Sequence, residues 1–270
     1  MIGLFDSGVG GLTIFKEIKK MFPDYDYVYF SDQANLPYGS KTDEEIYHFT
    51  KQGIDKLRAM GCKLIILACH TASNIALREL QAKYYKQLED YEFKLLGVTI
   101  PIVEEAVKVS KNRNIGVMAT KGSVRSGIFE ELFDSEGPDF NVYNREAQML
   151  VTLIEEGNKF KNETESVLKR YLNYFHPIDI DTMILGCTHF PFLIDEIKEN
   201  LNEKITVIDS GKVVAKKLKQ YLENHPDLEK QITKNGELKF YSTKVNEHIY
   251  TLSNLFSKDI KYRVEKISLD

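Results

Sequence analysis

Cysteine is scarce in this chain. Three residues in 270, an odd number, exclude the disulfide framework that staples small secreted domains. Proline is sparse as well, with 7 residues, and no tract rich in Pro, Gly or Ser marks a linker. Charge of one sign is missing. Lys and Arg number 36 against 40 Asp and Glu, a formal charge of −4, so no basic surplus is available for a broad nucleic-acid-binding surface. Long hydrophobic runs are missing too. The longest, residues 95–103, falls far short of the roughly 20 residues a membrane span requires, so neither nucleic acid nor membrane is an expected partner. Met1 leads into Ile2-Gly3-Leu4-Phe5 with no basic flank or cleavage site, so no signal peptide is expected. What remains is 43% hydrophobic and 28% charged, ordinary for a globular protein large enough to bury a core without staples. A reduced cytoplasmic enzyme is the class these numbers permit.

Short apolar, β-branched runs alternate with longer amphipathic stretches. The runs are residues 2–6, 27–31, 63–69, 94–99, 114–119, 182–187 and 205–208, with a weaker one at 238–242. Helical patterns include 12–21, 44–60, 72–87, 192–201 and 213–222, while 157–166 reads as a solvated loop leading into a helix. Continuously apolar strands are buried on both faces, as in parallel sheets covered by helices, so the expected fold is open, doubly wound α/β. A single sheet of about eight strands would be large for this length, which favours two domains. Internal duplication is hinted at. Asp6-Ser7-Gly8 follows one strand and Asp209-Ser210-Gly211 another, and Ile66-Leu67-Ala68-Cys69 resembles Ile184-Leu185-Gly186-Cys187.

Ligands in open α/β sheets bind at the carboxyl ends of strands. Three such ends stand out: Asp6-Ser7-Gly8-Val9-Gly10-Gly11, Cys69-His70-Thr71-Ala72-Ser73 and Cys187-Thr188-His189. Each leads into a helical pattern, whose free N–H groups favour anions. The glycine cluster is no dinucleotide fingerprint, because Thr13 stands where the third glycine belongs. A tight turn with an anion site fits better, the alternative being a turn with no ligand.

Cys62, at the start of its strand, reads as an inert core thiol. Cys69 and Cys187 differ, since both end a strand and precede a helix, a setting that can activate a thiol. A redox pair would show Cys-x-x-Cys, which is absent. Zinc could use Cys69, His70, Cys187 and His189. However, the adjacent pair Cys69-His70 points to opposite sides in extended chain, so no metal is expected. Acyl transfer would leave the second cysteine unexplained. Two opposed thiols suit the movement of a proton across a carbon centre, with a base on one face and an acid on the other. The sulfurs would then stand roughly 6–7 Å apart across the substrate.

Four segments carry a resemblance: Phe5-Asp6-Ser7-Gly8-Val9-Gly10-Gly11, Leu36-Pro37-Tyr38-Gly39-Ser40-Lys41, Ala68-Cys69-His70-Thr71-Ala72-Ser73 and Gly186-Cys187-Thr188-His189-Phe190-Pro191. In content and order they resemble the glutamate racemase family, within the cofactor-independent aspartate/glutamate racemase superfamily. The resemblance implies that Cys69 deprotonates the D-enantiomer and Cys187 the L-enantiomer, with Asp6 assisting the first and His189 the second. Glu155 stands where the family often has an acidic residue near that histidine. Ser7, Pro37, Tyr38, Gly39, Ser40, His70, Thr71 and Thr188 match substrate-contacting positions, and Thr120 and Ser123 match hydroxyls that hold the side-chain carboxylate.

One departure stands out. The family usually has Asn where this chain has His70, which leaves open weaker glutamate turnover, a shifted pH dependence or another substrate. The resemblance further implies no cofactor, a homodimer, and two α/β domains with the site in the cleft between them, here 1–96 plus 211–270 and 97–210. It also implies L-glutamate to D-glutamate conversion supplying peptidoglycan. Activation by a peptidoglycan precursor through an N-terminal extension is not expected. The alternatives are a racemase of aspartate or another amino acid, and a catalytically weak amino-acid-binding protein of the same fold.

Overall fold

The computed structural model of the protein describes residues 1–87, 93–245, 249 and 263–269. Among the described residues ten strands form two sheets. The first holds β1 (Ile2–Asp6), β2 (Tyr27–Ser31), β3 (Leu64–Leu67), β4 (Lys94–Gly97), β9 (Leu238–Ser242) and β10 (Val264–Lys266), in the order β10-β9-β2-β1-β3-β4. The second holds β5 (Asn114–Ala119), β6 (Asn141–Glu146), β7 (Thr182–Gly186) and β8 (Thr206–Ile208), in the order β6-β5-β7-β8. Every pairing is parallel, as the continuous apolar runs lead one to expect.

Alternation along the strands builds three apolar layers, because successive side chains point to opposite faces. Leu4 of β1, Ile66 of β3, Val117 of β5 and Ile184 of β7 join one cluster shared by both sheets. The helices Thr99–Val109 and Ser210–Asn224 supply Ile102, Val103, Val214 and Leu218 to it. Phe5, Ile65 and Leu67 face the opposite layer, under the helices Asp43–Ala59 and Leu77–Gln87. Met118, Met183 and Leu185 face a third, under Gln148–Glu155 and Lys161–Leu172. Cys69 belongs to the second layer and Cys187 to the third, so each sulfur ends an outward-facing row of its own sheet.

In each sheet the chain leaves a central strand to one side and returns to the other: β1 to β2 then β3, and β5 to β6 then β7. These reversals are topological switch points, where an open sheet has room for a ligand beyond its strand ends. Register then fixes what stands there. Phe5 pairs with Leu67, so Ser7 and Cys69 emerge side by side; Ala119 pairs with Gly186, so Thr120 emerges beside Cys187. The two Asp-Ser-Gly segments also share a device. Asp6 Oδ2 accepts from the Gly8 N–H at 2.9 Å, and Asp209 Oδ1 from the Gly211 N–H at 3.0 Å.

Several sequence expectations need correction. Strands β6 and β10 were not anticipated, since each lies at a sheet edge with few buried residues to signal it. The expected helix at 192–201 starts later, at Ile194, after a 3₁₀ turn over Phe190–Leu193, so Cys187 does not lead directly into an α-helix. The expected loop 157–166 is one 3₁₀ turn, Gly157–Phe160, followed at once by the helix Lys161–Leu172. Among the described residues no helix is long and apolar enough to cross a membrane.

Candidate active site

The two strand-end sulfurs open on one cavity. Its walls include Ser7, Cys69, Thr71, Pro37, Tyr38 and Gly39 from the first sheet's connections, and Thr120, Gln148, Cys187, Thr188 and His189 from the second's. Its volume is about 10 Å³, close to the room one water needs. A larger apolar cavity of about 270 Å³ lies elsewhere, between the helices Leu77–Gln87, Thr99–Val109 and Ser210–Asn224. It holds neither of these sulfurs, so chemistry and not size marks the site.

Cys69 caps the helix His70–Ile75 and is 4% exposed. Its thiol donates to Ser7 Oγ at 3.4 Å. Burial, reinforced by the Asp6 carboxylate, pushes it up to about 12, so at neutral pH it keeps its proton. Asp6 lies beneath the cavity, fully buried. Burial raises its carboxyl to about 6, while His189 and the N–H groups of Gly8 and Gly11 restrain the rise. Thr188 Oγ1 donates to Asp6 Oδ1 at 3.4 Å across the seam between the sheets.

The Cys187 side is built differently. Its sulfur stands 3.7 Å from His189 Nδ1, and His189 Nε2 stands 2.5 Å from Glu155 Oε1. Burial alone would depress the imidazole. Its bonds to Cys187 and Glu155 outweigh that and hold it well above the usual histidine value, as an imidazolium donating from both nitrogens. Glu155, at the end of the helix Gln148–Glu155, accepts from Gln33 Nε2 at 2.9 Å, so a first-sheet connection steadies a second-sheet carboxylate. Gly10 permits the close approach here: a Cβ on it would stand 2.5 Å from Thr188 Oγ1 and 2.8 Å from His189 Nδ1.

At the other end of the cavity hydroxyls gather. Thr71 Oγ1 and Thr120 Oγ1 are 2.9 Å apart, and Thr120 donates to Ser123 Oγ at 3.1 Å while capping the helix Lys121–Arg125. Tyr38 is held by its hydroxyl, which donates to Asp32 Oδ2 at 2.6 Å. Ser123 stands behind Thr120 and does not itself line the cavity.

Ser40 is not brought to the site. Its exposed hydroxyl donates to the Pro37 carbonyl at 3.2 Å. His70 borders the cavity, and one edge of its ring is tied to Ser210. Nε2 lies 3.1 Å from Ser210 Oγ, which donates on to the Leu185 carbonyl at 3.3 Å. Burial depresses this histidine to about 3, so it is neutral and bears no charge toward a ligand. Gln33, Asp32 and Gln148 escaped the sequence reading. The first two follow β2, and the strand-end rule would have found them there; Gln148 follows β6, a strand the sequence did not announce.

Two sulfurs from different sheets line one cavity, one beside a carboxylate and one beside an imidazolium, surroundings suited to acid–base chemistry. The class that this fold and site define is an α/β isomerase working by acid–base chemistry. The model of the Asp/Glu/Hydantoin racemase family matches residues 10–218, and the chain belongs to that family, in its glutamate racemase branch. Glutamate racemase from Persephonella marina is 41% identical over 219 residues, 81% of each chain. That from Aquifex aeolicus is 36% identical over 254 residues, covering 94% of this chain and 92% of the relative. The crystal structure of glutamate racemase from Francisella tularensis in complex with D-glutamate superposes with a TM-score of 0.88 at 32% identity, over 100% of this chain and 97% of the other.

Proposed function

We propose that the chain interconverts L- and D-glutamate without a cofactor, and that it does so with two thiols. The observation that carries this reading is that Cys69 and Cys187 line one cavity from opposite sheets. With L-glutamate bound, the Cys187 sulfur, facing the His189 imidazolium, takes the α-proton from one side. The Cys69 thiol, still protonated, delivers its own proton to the opposite face of the carbanion. D-glutamate leaves, Cys187 is now the thiol and Cys69 the thiolate, and the reverse reaction runs from that state. Each C–H bond broken is replaced by one formed, with no change of oxidation state.

Roles follow from placement. Asp6 sets the charge near Cys69, and Glu155 and His189 that near Cys187. Ser7, Pro37, Tyr38, Gly39, His70, Thr71, Thr120 and Thr188 border the bound amino acid, with Ser123 orienting Thr120. The cavity's small volume means that substrate enters by parting the seam and that closure excludes water. We also propose a division into 1–96 plus 211–270 and 97–210, a homodimer, a cytoplasmic location, and supply of D-glutamate to peptidoglycan, all in keeping with the family resemblance.

The test is optical. Either glutamate enantiomer incubated with the protein should lose all rotation, while aspartate keeps its own. Racemisation of aspartate with glutamate untouched would replace the substrate, and tight glutamate binding with unchanged rotation would favour a binding protein.

A further inference from the structure

Gln148 is the first residue of the helix Gln148–Glu155, directly after the β6 connection, and it lines the cavity with the thiols. Both of its amide atoms are buried, and neither Oε1 nor Nε2 has a hydrogen-bond partner among the described residues. Such a group is costly to leave unmade, because it has surrendered water and received nothing in exchange. Either orientation of the amide leaves a donor pair and an acceptor unused, so the shortfall does not depend on which atom is which.

Its surroundings say what it could bind. Gly39, from the first sheet's connection, packs so closely that a Cβ there would stand 1.9 Å from Gln148 Oε1 and 2.6 Å from Thr120 Cβ. Gly122 stands near Thr71 and the Gly39 carbonyl, with a Cβ placed at 3.1 Å and 3.3 Å from them. Gln148 therefore belongs to the hydroxyl end of the cavity, with Thr71, Thr120 and Ser123, and it meets the opposite wall across the seam that must part for substrate. Those hydroxyls already bond one another, whereas the amide does not.

We propose that Gln148 is a specificity-determining residue, its Nε2–H₂ donating to the distal carboxylate of the bound amino acid. The inference rests on the glutamate reading above and deepens it. An uncharged donor at this depth reads the position of the far carboxylate without adding a charge to the buried site. A substrate one methylene shorter would not reach it.

The experiment compares the parent with Gln148→Leu and Gln148→Glu. The first keeps the bulk and removes the polar atoms; the second keeps the shape and sets a carboxylate against a carboxylate. Gln148→Leu should raise the KM for both enantiomers about tenfold, the worth of one hydrogen bond to a charged group, with kcat within about threefold. Gln148→Glu should raise KM further, by about a hundredfold, and the rise should shrink as pH falls toward 5 and the new carboxyl takes a proton. Glutamate should lose more than aspartate does, narrowing the preference between them. A purely structural role would lower thermal stability without this split, so melting curves accompany the kinetics. A KM within twofold of the parent in either folded variant overturns the inference. A parent that does not racemise glutamate overturns the underlying reading instead, a distinguishable outcome.

Discussion

The Cys69 half and the Cys187 half of the site come from strands of like position in two sheets of like topology, yet their surroundings carry unlike charge. Cys69 has a buried carboxylate nearby and a hydroxyl to donate to, and burial with negative charge keeps it a thiol. Cys187 has an imidazolium at its side, itself fixed by Glu155. The nearest histidine to Cys69 in sequence, His70, is neutral and turned toward Ser210. A duplicated scaffold has thus been given unequal electrostatics. A Cys69 thiol that keeps its proton and a His189 imidazolium beside Cys187 are the surroundings that the proposed route from L-glutamate uses. Since mirror-image amino acids are equally stable in water, this inequality cannot favour one direction in kcat/KM. It shows only in kcat and in the partition of intermediates.

The largest effects come from removing either sulfur. Cys69→Ala and Cys187→Ala should each lower racemisation about 10⁴-fold, equally from both enantiomers, because one wall then has nothing to complete the transfer. Racemisation by either variant within about tenfold of the parent's would contradict a two-thiol path. An intermediate effect is expected on the Cys187 side alone. His189→Asn should lower kcat/KM about a hundredfold, and Glu155→Gln less, about tenfold, since the ring keeps its sulfur contact while losing an ionised partner. Equal losses from the two changes would mean that Glu155 acts on something besides the ring.

The effects on stability form a separate pair, and they have opposite signs. Asp6 rises from 3.8 to about 6 on folding, so the folded state holds its proton more tightly. That contribution is present below pH 4 and is lost as pH rises through 6. Relative to Asp6→Asn, the parent should therefore lose about 2 kcal/mol between pH 4 and 7. His70 falls from 6.5 to about 3, so its contribution is present above pH 6.5 and lost as pH falls. Relative to His70→Asn, the parent should weaken by a few, about 4, kcal/mol on acidification toward pH 3. Denaturant titrations across pH check both. Parallel slopes in the two comparisons would show that the burial of one group has been misread.

Much of this was legible in the sequence because parallel strands buried on both faces are written as apolar runs, and the strand-end rule then points at Cys69, Cys187, Ser7 and Thr188. The edge strands β6 and β10 were not legible, since an edge needs few apolar residues. With β6 went Gln148, which no motif flagged. Side-chain direction was equally out of reach. Ser40 and His70 both sit inside matching segments, but one turns back on Pro37 and the other toward Ser210, and only packing decides that. Of the histidines outside the motifs, His48, His176 and His225 lie outside the cavity's walls, and His248 is outside the described residues. The cross-seam bond from Gln33 to Glu155 joins residues far apart in the chain, a pairing that only the fold reveals.

Deuterium uptake at the α-carbon, followed by NMR in D₂O for the two single-thiol variants, tests the account most directly. Cys69→Ala should wash deuterium into L-glutamate without inverting it and leave D-glutamate untouched, and Cys187→Ala should do the reverse. Uptake into both enantiomers by either variant, or by both at the parent's rate, would contradict it.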